Sequence, residues 1–81
     1  MLSCHHHDYI EIACMHHLSV DLTLNDGSHI IGIAHDTFYN QHREECMMLQ
    51  IKEQQQSVVL DTLSSITAIT KNPYFSAINF K

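Results

Sequence analysis

Residues 20–36 read VDLTLNDGSHIIGIAHD. Val20, Leu22 and Leu24 alternate with Asp21 and Thr23, which is the period of a strand with one buried face. Asn25-Asp26-Gly27 then interrupts the alternation. Gly27 can adopt a positive φ at no steric cost, so the segment predicts a tight hairpin turn. A second strand follows over about 28–36. Gly32 in its middle predicts a sharp bend or a close backbone approach, since a strand loses packing by carrying glycine.

Upstream, residues 4–17 read CHHHDYIEIACMHH. Ile10, Ala13, Cys14, His17 and Leu18 fall at the i, i+3, i+4, i+7, i+8 spacing of an amphipathic helix. Asp8 is placed to cap that helix, with Glu11 three residues on as in a capping box. The expected helix runs about 8–17, with His17 on its buried stripe. Downstream, CMMLQIKE (46–53) predicts a third strand with Met47, Leu49 and Ile51 on one face. TFYNQHRE (37–44) reads as a loop and Gln54-Gln55-Gln56 as a turn. SVVLD (57–61) and LSSITAIT (63–70) predict two more strands with a break near Asp61-Thr62. Pro73 ends the pattern, and 74–80 can add a short edge strand.

One helix and five to six short, turn-linked strands predict a mostly β (α+β) fold, a small antiparallel β-barrel with an N-terminal α-helix. Closing the sheet would hide strand edges. The 81 residues suffice for a single domain with a thin core. On this reading the helix is followed by a barrel over about 18–70 and an edge segment over 71–81.

Four basic against nine acidic residues give a net charge of −5 with neutral histidines. That balance argues against direct contact with nucleic acid or anionic membranes and favours a basic partner. No apolar run approaches the ~20 residues of a membrane span, and the N-terminus is too polar for a signal peptide. Three cysteines without a framework spacing read as reduced thiols, so the expected location is cytoplasmic.

The opening stretch invites a metal reading. Zinc takes four converging ligands, commonly two closely spaced pairs. Cys4 with one of His5–His7 could supply one pair, and Cys14 with His16 or His17 the other. Cys14 and His17 sit on the predicted buried stripe, however, and His16 points elsewhere. No metal and no cofactor are expected. A Cys14–His17 nucleophilic pair lacks an oxyanion hole or cleft in so small a barrel, so no catalysis is expected either.

VDLTLNDGSHIIGIAHD and the later SVVLDTLSSI look like the two halves of an Sm-like barrel. More sharply, Cys4, Asp8, Ile10, Glu11, Ala13, Cys14, His16, His17, Leu18, Asp26 and Gly27 fall in order on a family pattern. In it a cysteine precedes Tyr-Asp-x-Leu-Glu-x-Ala-Cys, a His-His-Leu-like continuation and a strand ending in Asp-Gly. The chain thus resembles the Rho-binding antiterminator family of the Rof or YaeO type, from about residue 4 to residue 69. The resemblance implies a helix on an Sm-like barrel that binds the termination factor Rho. It implies binding at the primary RNA-binding surface of Rho's N-terminal domain, blocking RNA loading, with no catalysis. It departs from the pattern where His5-His6 replace a commonly acidic pair and His7 holds the tyrosine position, with Tyr9 two residues later.

The expected partner-binding residues are therefore Asp8, Glu11, Tyr9, His5, His6 and His7, on a protein monomeric when free. Asp8 and Glu11 could cap the helix and face a cationic surface at once. Tyr9 is read as an aromatic anchor on the exposed side of the helix. Asp36 could extend the acidic face. Histidines at 5–7 would make the contact more repulsive below about pH 6.5. Two other readings stay open: an Sm-like RNA-binding protein, or a His/Cys metal-binding module. Against the first, Arg43, Lys52, Lys71 and Lys81 are scattered along the chain.

Overall fold

The 20–36 stretch forms the hairpin its alternation requires. In the computed structural model, which describes residues 4–80 and side chains from residue 6 onward, β1 (Ser19–Leu24) pairs antiparallel with β2 (His29–Tyr39). Val20 and Leu22 are fully buried, opposite Gly32 and Ile30. Gly27 turns the chain at φ 90°, and its N–H donates to the Leu24 carbonyl at 2.9 Å. The Asp26 carboxylate accepts from both the N–H and the hydroxyl of Ser28, at 2.9 and 2.6 Å. Those two bonds lower the Asp26 pKa, because they favour the ionised carboxylate.

The rest of the chain is α1 (Cys4–Met15) in front of this hairpin, and behind it β3 (Glu45–Ile51), β4 (Gln54–Val59), a 3-10 turn (Leu60–Thr62), β5 (Leu63–Ala68) and β6 (Ala77–Asn79). The six strands form one antiparallel sheet in the order β4-β3-β2-β1-β5-β6. β4 and β5 stand four positions apart, about 19 Å in a flat sheet. Only the 3-10 turn joins them, and the chain from Val59 to Leu63 reaches at most about 15 Å. The sheet must therefore curl. Gly32 allows the curl, because a Cβ there would lie 2.9 Å from Ile51 Cγ1 and 3.0 Å from the Gln50 carbonyl oxygen. The register shift between Ala34 and Asp36 adds a bulge that bends β2 further.

The sheet curls without closing. β6 takes the outer edge of β5, and β4 is left as the opposite edge. Side chains complete the enclosure instead. Leu60 and Leu63, at the two ends of the 3-10 turn, are buried with Ile10, Val20, Leu22, Met47, Leu49 and Ile66 in one cluster.

Several boundaries differ from the sequence expectations. β2 runs on to Tyr39, because Thr37, Phe38 and Tyr39 pair with Met47, Cys46 and Glu45. The glutamines at 54–56 belong to β4, since Lys52 and Glu53 make the turn and Lys52 takes φ 57° without being glycine. The helix begins at Cys4, so Asp8 lies in its second turn and caps nothing. The first turn carries no carboxylate. It is held by contacts to the sheet: His6 meets the Phe80 ring edge-on at 5.2 Å, and His7 bonds to Glu45. Short helices owe most of their stability to such packing.

The other end of α1 is closed by its own backbone. The Leu18 N–H donates to the Ala13 carbonyl at 3.0 Å and the His17 N–H to Cys14 at 3.2 Å. His17 has φ 50°. This is a Schellman motif with histidine where glycine is usual. His17 is consequently exposed rather than a core residue. Its Nδ1 stands 3.3 Å from the Ala34 carbonyl oxygen.

Candidate functional site

The helix presents two faces. Ile10, Ala13 and Cys14 face inward, while Asp8, Glu11 and Met15 are exposed. Along the outer face runs an open groove between α1 and the bulge of β2, about 520 Å³ in volume. Glu11, Cys14 and Met15 form its helical wall, and His35, Asp36 and Thr37 the strand wall, with His17 at the helix end. The bulge places His35 and Asp36 here, since His35 is the residue left without a partner across β3.

The groove is acidic. Glu11 and Asp36 stand on opposite walls, and among the described residues no lysine or arginine lines it. The Cys14 thiol between them is pushed up to about 12, first by burial and then by the fields of Asp36 and Glu11. It is therefore a neutral core group, which is unsuited to act as a thiolate ligand or nucleophile at neutral pH. Met15 adds an apolar, 71% exposed side chain beside the carboxylates. Arg43, Lys52 and Lys71 are exposed in three separate connections: between β2 and β3, between β3 and β4, and between β5 and β6.

The expected contact residues divide into three kinds of environment. Asp8 and Glu11 are exposed on the outer face of α1. Tyr9 is not: it is partly buried and packs edge-to-face on Phe75 at 5.7 Å. His6 and His7 are partly buried against the sheet, and the side chain of His5 lies outside the described residues. His7 Nδ1 is 3.3 Å from Glu11 Oε1, and its Nε2 bonds to Glu45. The hydrogen bond to Glu45 raises the His7 pKa, although burial opposes it. The groove residues His35 and Met15 were not visible to sequence reasoning. Asp36 was visible only as a charge, because nothing in HIIGIAHD marks the bulge that turns it toward α1.

Of the two metal pairs, the Cys4 side chain lies outside the described residues. His16 stacks on Tyr74 at 4.6 Å, and the His17 ring lies 5.4 Å from that of His35. Among the described residues no group of three or more His, Cys, Asp or Glu side chains converges as a cation site would require.

The whole chain carries a known pattern. A family model described as modulator of Rho-dependent transcription termination (ROF) matches residues 1–80. The chain belongs to this Rof family. Among solved structures it is similar to YaeO bound to magnesium from Vibrio cholerae O395. The two are 43% identical, with a TM-score of 0.87, and the match covers 91% of this chain and 96% of that one. No curated protein matches it. The mostly β fold with one N-terminal helix is thus a Rof-family fold, its sheet curled but not closed. The family sets the biology too: it modulates Rho-dependent termination, which makes Rho the partner and the role regulatory. No helix among the described residues is long and apolar enough to cross a membrane.

Proposed function

We propose that the chain is an antiterminator that covers the primary RNA-binding surface of Rho's N-terminal domain and prevents RNA from loading. The contact runs through the outer face of α1, with Asp8 and Glu11 central and Asp36 across the groove. A surface built to hold RNA must be cationic. An acidic protein can occupy the same surface, steered by the same field, without imitating bases or ribose. The supporting observation is the groove itself, with carboxylates on both walls and, among the described residues, no lysine or arginine in its lining. The protein acts in the cytoplasm, as a monomer when free, and binds no nucleic acid directly.

The exposed face also carries apolar surface. Met15 supplies a contact that salt does not screen, so affinity is not purely electrostatic. Tyr9 contributes from below, by propping the outer face on Phe75.

Competition binding tests the reading. Rho's N-terminal RNA-binding domain is bound to labelled poly(C), and this chain is titrated in. The expected result is displacement of RNA, an affinity that falls as salt rises, and about a tenfold loss for Glu11→Lys. Simultaneous binding of RNA and this chain to the same domain would overturn the blocking mechanism. Direct binding of poly(C) or poly(U) to this chain would favour an RNA-binding reading instead.

A further inference from the structure

We propose that His7 is a positioning residue for the docking face: its imidazolium clasps Glu45 of β3 on one side and Glu11 of α1 on the other, fastening the front of the helix to the sheet and fixing the carboxylate that Rho meets. The second half rests on the docking reading given above; the first does not.

The ring geometry carries the argument. Nε2 bonds to a Glu45 carboxylate oxygen, and Nδ1 lies 3.3 Å from Glu11 Oε1. Carboxylates only accept. A neutral imidazole has one N–H, so it can satisfy one carboxylate and must turn a lone pair toward the other. Both contacts are favourable only when both nitrogens carry protons. Among the described residues the charged groups facing the ring are acidic: Glu45 from β3, and Glu11 and Asp8 from α1. The ring is partly buried, which screens these contacts less than a fully exposed pair would be.

The clasp bridges residues 38 positions apart in the chain. It lies on the helical turn that has no capping carboxylate. It ties the front of the helix to the sheet through side chains, whereas the other end is closed by its own backbone bonds. Its pH dependence follows from the raised pKa of His7. A group whose pKa is raised on folding adds stability that is fully present below its unfolded pKa. That stability is lost as pH rises through the folded value. The clasp is closed below the ordinary histidine pKa and opens as pH rises through the raised folded value. This reverses the expectation that protonating this histidine only repels the partner. Protonated His7 is matched by two carboxylates and holds one of them in place.

The test is a double-mutant cycle with His7→Gln and Glu45→Gln, read by urea unfolding at pH 6 and pH 9. The expected coupling is about fivefold in the unfolding equilibrium constant at pH 6 and clearly smaller at pH 9, where the neutral ring can still donate to one carboxylate. An NMR titration of the wild-type imidazoles needs no variant, and should find both His7 nitrogens protonated at pH 6. No coupling at pH 6, equal coupling at both pH values, or a neutral His7 ring at pH 6 would overturn the clasp. Binding to Rho's N-terminal domain tests the positioning role. His7→Gln should weaken it several-fold at pH 6 in the wild-type background, and not at all in a Glu11→Gln background; equal loss in both backgrounds would overturn that role. If Glu11→Lys binds normally while the pH 6 coupling is present, the docking reading fails and the clasp stands. If the coupling is absent while Glu11→Lys weakens binding about tenfold, the reverse holds.

Discussion

The two faces of α1 are built from neighbouring residues and obey different rules. Ile10, Ala13 and Cys14 are buried and pack into the common core, where every methylene removed leaves a cavity. Asp8, Glu11 and Met15 project outward, where a change of size costs little and a change of sign changes the field. Glu11 is separated from Ile10 by a single peptide bond, yet the first should control recognition and the second stability. On the proposed docking face, stability and recognition should therefore be separable on one twelve-residue helix.

The largest expected effect lies on the inner face. Ile10 is fully buried, and Ile10→Ala should destabilise the chain by about 3–4 kcal/mol. That is a large share of the stability a domain this small can have. Urea unfolding would measure it. A loss under 1 kcal/mol would mean that the helix packs loosely and that the two faces are not distinct. Cys14→Ser is the next step down. It buries a hydroxyl where a neutral thiol packs, at a cost of about 1–3 kcal/mol. In the fraction that folds, Rho binding should be unchanged. A folded Cys14→Ser that fails to bind would give this buried cysteine a role in recognition.

On the outer face the order reverses. Glu11→Lys should cost about 1.4 kcal/mol of binding, a factor of ten, and under about 0.5 kcal/mol of stability beyond its link to His7. Asp36→Lys, on the opposite wall, should weaken binding in the same direction. Isothermal titration against Rho's N-terminal domain at two salt concentrations would check both. Should Asp36→Lys bind at wild-type strength while Glu11→Lys does not, the docking face stops at the helix and the groove is not part of it.

Much of the fold was legible because its signals are local. The β1–β2 hairpin follows from alternation and one glycine, and Gly32 announces the close approach of β3 by lacking a side chain. The inner stripe of α1 follows from its period as far as Cys14, and Leu18 joins the core just past the helix end. What could not be read depends on residues distant in sequence. The packing of the first helical turn depends on Glu45 and Phe80, which contact His7 and His6. The β3–β4 turn hides because Lys52 takes a left-handed φ that glycine or asparagine would have advertised. Tyr9 reads as an exposed anchor in the sequence because Phe75, which it packs against, lies 66 residues away. The carboxylates of the candidate site were visible from sequence, but their arrangement around a groove was not. That arrangement needs a bulge that only the pairing with β3 reveals.

The smallest expected effect falls where the two faces meet. His17 was expected on the inner face because its i+7 spacing from Ile10 continues the stripe, but the helix ends two residues earlier. There it holds φ 50°, which costs a residue with a Cβ about 1–2 kcal/mol. Glycine removes that strain but makes the unfolded chain more flexible, by about 0.4–1 kcal/mol. Glycine also gives up the imidazole bond to the Ala34 carbonyl, but at 3.3 Å that bond is long and only partly buried, so its removal costs little. The balance predicts that His17→Gly stabilises the chain by about 0.5–1 kcal/mol. The ring also lines the groove beside His35, which gives it a place at the docking surface to test. If His17→Gly raises the unfolding midpoint and leaves Rho binding intact, His17 belongs to neither face. If stability rises and binding falls, the ring is part of the docking surface, and the boundary between the two faces runs through this residue.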